Sequence, residues 1–189
     1  DSDFSWSEYV RKVNGELVAT YGNLVHRVLT FTYRNFDGKI PTPNSLSKDD
    51  QAMIASAEDM LKKADSQLSL CHFREALATA MGLATKANRY IDNQAPWHKI
   101  KESPERCATI LWTTIYVISA LKTATYPYLP ITSEKLNVLL GADESLTKDG
   151  WGIKPPEAGK SIPEPSPLFT KLDPEIVETE VQALSQKKV

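Results

Sequence analysis

Asn23 and Arg27 stand four residues apart in "GNLVHRV". At helical spacing their side chains project from one face. Asn offers a paired donor and acceptor, and Arg a planar fork of donors. Together they could read the edge of a nucleobase, the hydrogen-bond chemistry that single-stranded RNA exposes when its bases splay out. Trp97 follows Pro96 directly in "NQAPWHK", among polar and basic neighbours. Its indole could be a platform for a flat partner, or a hydrophobic cap laid over the core. On spacing alone the simpler readings are a solvated face for Asn23 and Arg27, paired with nearby carboxylates, and a capping role for Trp97.

Other chemistry is sparse. His26, His72 and His98 are scattered, with no Ser or Cys partner at motif spacing. A Ser/His/Asp triad assembles in space, but an all-helical chain without a nucleophile elbow is a poor host for one. None of the eight glycines stands in GxGxxG or GxxxxGK[ST] order, and there is no HExxH or ExxH pair. Cys71 and Cys107 form no CxxC motif. They read as two buried, reduced thiols in a cytosolic protein. The expectation is a binding chain with no catalytic residue, metal ligand or cofactor of its own.

The elements that must carry the binding groups follow from periodicity. From about Phe4 to Asn35, Leu17, Tyr21, Leu24, Val28 and Phe31 make an apolar helical stripe, and Glu16, Thr20, Asn23, Arg27, Thr30 and Arg34 a polar one. Asp37-Gly38 ends that helix, and Pro41 and Pro43 keep the connection extended. Ser47 caps a second helix, with Asp49 and Asp50 at its positive end, fading near Ser69. A third, about Cys71 to Gln94, places Ala76, Ala80, Ala84 and Ala87 at contact positions, which permits close helix approach. A fourth begins at Ser103-Pro104-Glu105 and is apolar almost all round, as a central bundle helix should be. Tyr126-Pro127 and Leu129-Pro130 stop it. A short fifth helix has Thr132 as cap and Gly141 as terminator.

From Ala142 the character changes. Five prolines between Pro155 and Pro167 exclude helix or central strand and predict an extended strap. A last helix has Asp173 as cap and Pro174 at its first position. The expected fold class is all-α: a bundle of about five helices over residues 1–141, with a Pro-rich strap and C-terminal helix over 142–189 packing back on it.

The chain has 189 residues, 41% hydrophobic and 24% charged, ordinary for one globular domain with a real core. It shows no run of about 18 apolar residues and no signal peptide, so no membrane partner is expected. It opens on Asp, which suggests a piece of something larger. Net charge is −2; residues 142–189 hold 9 acids and 6 bases, leaving +1 on the rest. A nucleic-acid contact must then be local and specific, without a broad phosphate clamp.

Three stretches together closely resemble the anticodon-binding domain of methionyl-tRNA synthetases. They are residues 14–41, with Asn-Leu-x-x-Arg and then Phe-Asp-Gly; residues 76–101, with Ala-Asn-x-Tyr-Ile-Asp-x-Gln-Ala-Pro-Trp; and residues 121–141, with Pro-x-x-Pro-x-Thr. "PEPSPLFTKLD" is similar to the segment where that family's chain returns toward its catalytic domain. The resemblance implies that Asn23 and Arg27 bond to the first anticodon base, a cytosine. It implies that Trp97, aimed by Pro96, stacks on an unwound anticodon base. The implied partners are methionine tRNA, through its CAU anticodon loop, and the catalytic domain of the same chain, with no DNA.

The class I signatures His-x-Gly-His and Lys-x-Ser-Lys-Ser are absent from these residues, as is a zinc-binding insertion. The resemblance therefore implies the recognition part of a cytoplasmic class I methionine–tRNA ligase, inactive alone. Its parent would use ATP and magnesium, with zinc in some members. A valine, leucine or isoleucine synthetase domain shares the implied fold, and the Asn23, Arg27, Trp97 set argues against it. A helical scaffold binding a protein through its Trp97 face is the alternative of another class.

Overall fold

The computed structural model describes residues 4–148 and 150–186. Its helices are α1 (Trp6–Lys12), a π-helical segment (Val13–Gly22), α2 (Asn23–Asn35), α3 (Lys48–Ser69), α4 (Phe73–Gln94), α5 (Pro96–Glu102), α6 (Pro104–Thr125), α7 (Pro130–Leu139) and α8 (Ile176–Gln186). Among the described residues strand-like pairing is confined to one bridge, Lys39 with Ser161. The fold is an all-α bundle.

α6 is its axis. Eighteen of its residues are buried, because apolar side chains occupy every side of the helix. By length and composition α6 could cross a membrane, contrary to the expectation from sequence, but 94% of its apolar window lies inside the protein. α3 and α4 pack against it and each other. Ala76, Ala80, Ala84 and Ala87 are all but inaccessible at the contact, so the backbones approach closely.

Local signals explain most helix ends. Ser47 Oγ accepts from Asp50 N and the Asp50 carboxylate accepts from Ser47 N, a reciprocal cap on α3. Asp173 Oδ1 accepts from Glu175 N, but α8 starts at Ile176 and not at Pro174, and its expected continuation into Lys187 and Lys188 lies outside the described residues. Three other boundaries depart from expectation. The opening helix contains the π segment, marked by Thr20 Oγ1 donating to Gly15 O at 2.9 Å. α7 starts at Pro130 and not after Thr132, since Pro suits a first helical position. Pro96 likewise begins a short helix, α5, just beyond the Gln94 end expected for the preceding helix. Ser103 precedes α6, yet its side chain makes no cap bond.

The proline-rich strap is latched to α6 through carbonyls that its prolines leave free. Trp112 Nε1, Ser119 Oγ and Thr123 Oγ1 donate to Pro156 O (3.0 Å), Lys154 O (2.8 Å) and Gly152 O (2.8 Å). Further on, Asn14 Nδ2 donates to Leu172 O and Leu172 N to Asn14 Oδ1, both at 2.8 Å, which pins the strap beside the π segment. There the Phe169 ring lies so close that a Cβ on Gly22 would be 3.0 Å from both Phe169 Cδ2 and Leu17 O, so a larger residue would require the surroundings to give by a few tenths of an ångström.

A buried polar network fixes the C-terminal end of α4. Asp50 is fully buried and accepts from Tyr90 Oη and the Arg106 guanidinium, which also donates to Gln94 Oε1 at 2.7 Å. Burial alone would raise the Asp50 carboxyl pKa. The Arg106, Tyr90 and Ser47 bonds outweigh that and hold it below the ordinary carboxylate value.

Candidate nucleic-acid interface

Gln94 is thus anchored one residue before the turn that presents Trp97. Ala95 turns the chain with φ 43° and ψ 62°, a left-handed conformation unfavourable for alanine and doubly so before proline. Pro96 is buried and fixes the first residue of α5. Trp97 is half-buried and packs against the core on one side. It is neither sealed in nor freely exposed.

Arg27 reaches it from α2. Its Cζ sits 5.0 Å from the Trp97 ring centroid, within cation–π range. Its Nη2 donates to Asp92 Oδ1 at 2.7 Å. The guanidinium is therefore held between an indole on α5 and a carboxylate on α4, 65 residues away in sequence. Both partners remain partly solvated, 34% exposed for Arg27 and 56% for Asp92, so the ion pair is worth about 1 kcal/mol or less.

Arg27, Pro96 and Trp97 line one recess of about 290 Å³, with Phe31, Ile91 and Leu111 as apolar wall and Arg34 and His26 at its edges. Asn23 does not line it. One turn earlier on α2, it lines an adjoining recess of about 330 Å³ whose opposite wall is the strap, Pro167 to Phe169. His26 lines both. Three of the four residues singled out from sequence therefore converge, and the fourth stands next door.

Sequence reading also left out groups that the fold brings in. Asp92 is five residues before Trp97, but nothing local ties it to Arg27. Phe169 arrives by way of the strap. His26, inside Asn-Leu-x-x-Arg, carries no signal in the sequence that places it at both recesses.

The chain's other chemistry is modest. Cys71 is exposed, against expectation, because it sits in the α3–α4 turn with φ 59°. Cys107 is buried, which pushes its thiol up to about 11. Among the described residues no group of three or more His, Cys, Asp or Glu side chains could hold a metal ion.

Residues 40–187 match the family described as the anticodon binding domain of methionyl tRNA ligase, and residues 1–29 match class I tRNA synthetases of the methionine type. The chain belongs to the methionyl-tRNA ligase anticodon-binding family. The methionine–tRNA ligase of Dehalococcoides mccartyi strain 195 is 46% identical over 180 residues, covering 95% of this chain and 32% of that protein. That of Roseiflexus castenholzii is 36% identical over 213 residues, covering 99% and 36%. The crystal structure of Mycobacterium tuberculosis methionyl-tRNA synthetase bound by methionyl-adenylate superposes with a TM-score of 0.81 at 26% identity, covering 88% of this chain and 34% of that one.

The chain spans about a third of the length of the curated relatives it matches. Membership in the methionyl family favours the anticodon-binding reading over a valine, leucine or isoleucine synthetase domain and over a protein-binding scaffold. The two matches also divide the site. Asn23 and Arg27 fall in the class I synthetase segment, and Pro96 and Trp97 in the anticodon-binding segment.

Proposed function

We propose that this domain reads the CAU anticodon of methionine tRNA, with Asn23, Arg27, Pro96 and Trp97 as the interface. The observation that carries the reading is the Arg27–Trp97 pair, a hydrogen-bonding fork and an aromatic face on one open recess. The first anticodon base enters the recess and stacks on the indole. It accepts or shares hydrogen bonds with guanidinium N–H groups that Asp92 leaves unused. Where the base needs the indole face that Arg27 covers, the contacts given up are each worth about 1 kcal/mol. Stacking gains roughly 1–3 kcal/mol and a bidentate base contact a similar amount. Binding therefore outweighs the rearrangement.

The remaining parts of the ligation fall outside these residues. Activation of methionine with ATP and magnesium belongs, in this reading, to the catalytic segment of a whole cytoplasmic class I ligase, as does any zinc. The 189 residues hold no His-x-Gly-His or Lys-x-Ser-Lys-Ser sequence. The chain alone should support no methionine-dependent ATP–pyrophosphate exchange.

The test is a titration with RNA hairpins carrying a CAU loop or the same loop with its first base changed, followed by tryptophan fluorescence. Tighter binding of CAU, with the first-base preference lost in Trp97→Ala, is the expected result. Equal binding of both hairpins refutes the reading. With four tryptophans present, the Trp97→Ala protein also assigns the signal.

A further inference from the structure

Among the described residues, three other than glycine have positive φ: Asp37, Cys71 and Ala95. Of these, Ala95 alone precedes a proline. Its Cβ disfavours the left-handed state by roughly 5- to 30-fold, and the Pro96 ring favours extended backbone there instead. Glycine is the usual residue at such a helix end. A residue strained in this way persists where its surroundings over-determine it. With extended backbone at position 95, α5 would leave α4 in another direction and carry the indole away from Arg27.

Two grips hold the turn. On the α5 side, Pro96 is buried and Ile100 packs on the core. On the α4 side, the grip is the Gln94 amide. Its Oε1 accepts from Arg106 Nη2 at 2.7 Å, and its Nε2 donates to Asp49 Oδ2 at 3.2 Å. Asp49 belongs to α3 and Arg106 to α6, so one side chain at the end of α4 is tied to both neighbouring helices. Arg106 is itself fixed by buried Asp50, which Tyr90 and Ser47 also engage. Gln94 does not line the recess of Arg27 and Trp97; with Asp49, Tyr90 and Asn93 it faces a separate one.

We propose that Gln94 is a positioning residue for RNA binding: its doubly held amide keeps Ala95 in the left-handed turn, so that Trp97 faces the Arg27 recess before RNA arrives. This rests on the anticodon reading given above. Gln94 acts through Trp97 and needs no contact with the base. Losing the clamp lowers the fraction of molecules whose indole is in place, and apparent affinity falls by that fraction. Strain and clamp are therefore coupled. Glycine at position 95 adopts the left-handed turn at no steric cost, which leaves the clamp less to hold. A hydrogen bond that only stabilised the fold would be worth the same with either residue at 95.

The experiment uses the 189-residue chain and two hairpins, CAU and CAU with an abasic first position. Melts set a temperature at which every variant is folded. Gln94→Ala should weaken CAU by about three- to tenfold and leave the abasic hairpin unchanged. Acrylamide should quench Trp97 more readily in that variant, the Trp97 signal being taken as the difference from the same protein carrying Trp97→Ala. In an Ala95→Gly background, Gln94→Ala should cost no more than about twofold. Gln94→Glu keeps an acceptor for Arg106 but sets a carboxylate against Asp49, and should also weaken CAU. Adding Asp49→Asn restores a donor opposite that carboxylate and should recover most of the affinity. If Gln94→Ala does not fold, this exchanged pair decides.

Wild-type affinity for CAU in Gln94→Ala overturns the inference. So does a loss of equal size in the Ala95→Gly background, or on the abasic hairpin, because Gln94 would then be a general support of the fold. Failure of Asp49→Asn to rescue Gln94→Glu does the same. A wild-type protein indifferent to a changed first base overturns the anticodon reading itself, and this proposal with it.

Discussion

Replacing Arg27 should separate recognition from stability. In the free protein it makes a partly solvated ion pair with Asp92 and a cation–π contact with Trp97 at 5.0 Å. The first is worth about 0–1 kcal/mol and the second about 0.5–1 kcal/mol at an exposed site. Their sum bounds the folding cost of Arg27→Ala at about 0.5–2 kcal/mol. That corresponds to a fall in Tm of about 1–8 °C for a domain of this size. On RNA the same change removes a fork whose bidentate contact is worth roughly 1–3 kcal/mol, or about 5- to 150-fold in affinity. Arg27→Lys keeps the charge and the salt dependence but not the planar fork, so it should lose nearly as much first-base preference as Arg27→Ala. The assays are a thermal melt and a hairpin titration on each variant at one ionic strength. Full first-base preference in Arg27→Lys would refute the fork and leave a point charge as sufficient.

Ala95→Gly should raise Tm by roughly 1–4 °C, since glycine relieves the left-handed strain at φ 43°; a lower Tm would show that the turn is not strained. Asp50→Asn should cost about 3–5 kcal/mol at neutral pH by leaving the buried face of Arg106 unpaired. The Asp50 carboxyl is held below its unfolded value, so its contribution is complete above about pH 4–5 and is lost as pH falls through the folded value. Acid melts of wild type and Asp50→Asn should therefore converge at low pH, and a constant gap would contradict this. A thiol reagent should label exposed Cys71 in the native protein and Cys107 only on unfolding, which mass spectrometry resolves. Hairpin affinity should fall shallowly with salt, with a log–log slope of roughly −1 to −3, because few cations flank the recesses; a much steeper slope would mean that phosphates dominate.

Signals acting within a few residues were readable before any fold was known. Ser47, Pro104 and the Gln94–Pro96 boundary are such cases, since caps and prolines fix backbone locally. The apolar helix that becomes α6 was equally plain, because a helix with no polar face has nowhere to go but the centre. The π segment was not readable. The sequence there fits a 3.6 period well enough, and the wedge seated beside its last residue is Phe169, from the far end of the chain. Pro96 and Pro130 illustrate a different failure. Each stands where one helix ends, and each also opens the next. For the site, spacing placed Asn23 and Arg27 on one face and singled out Trp97. It could say nothing of Asp92 or the second recess, which arise from packing between elements that sequence leaves unconnected.

The half-buried state of Trp97 follows from what a selective reader needs. An indole standing free in water would stack on any base but would have to be ordered at the moment of binding. An indole sealed in the core could not bind at all. Here the ordering is done in advance. The Asp50–Arg106–Gln94 network holds the end of α4, Ala95 turns the chain, Pro96 fixes α5, and Arg27 lies across the ring. Each contact on the solvent side is weak enough to be exchanged, and the protein side is anchored on buried Asp50 and Pro96. A domain with no strong positive field has little nonspecific attraction to add. Its preference among RNAs must then come from this preset arrangement of fork and ring.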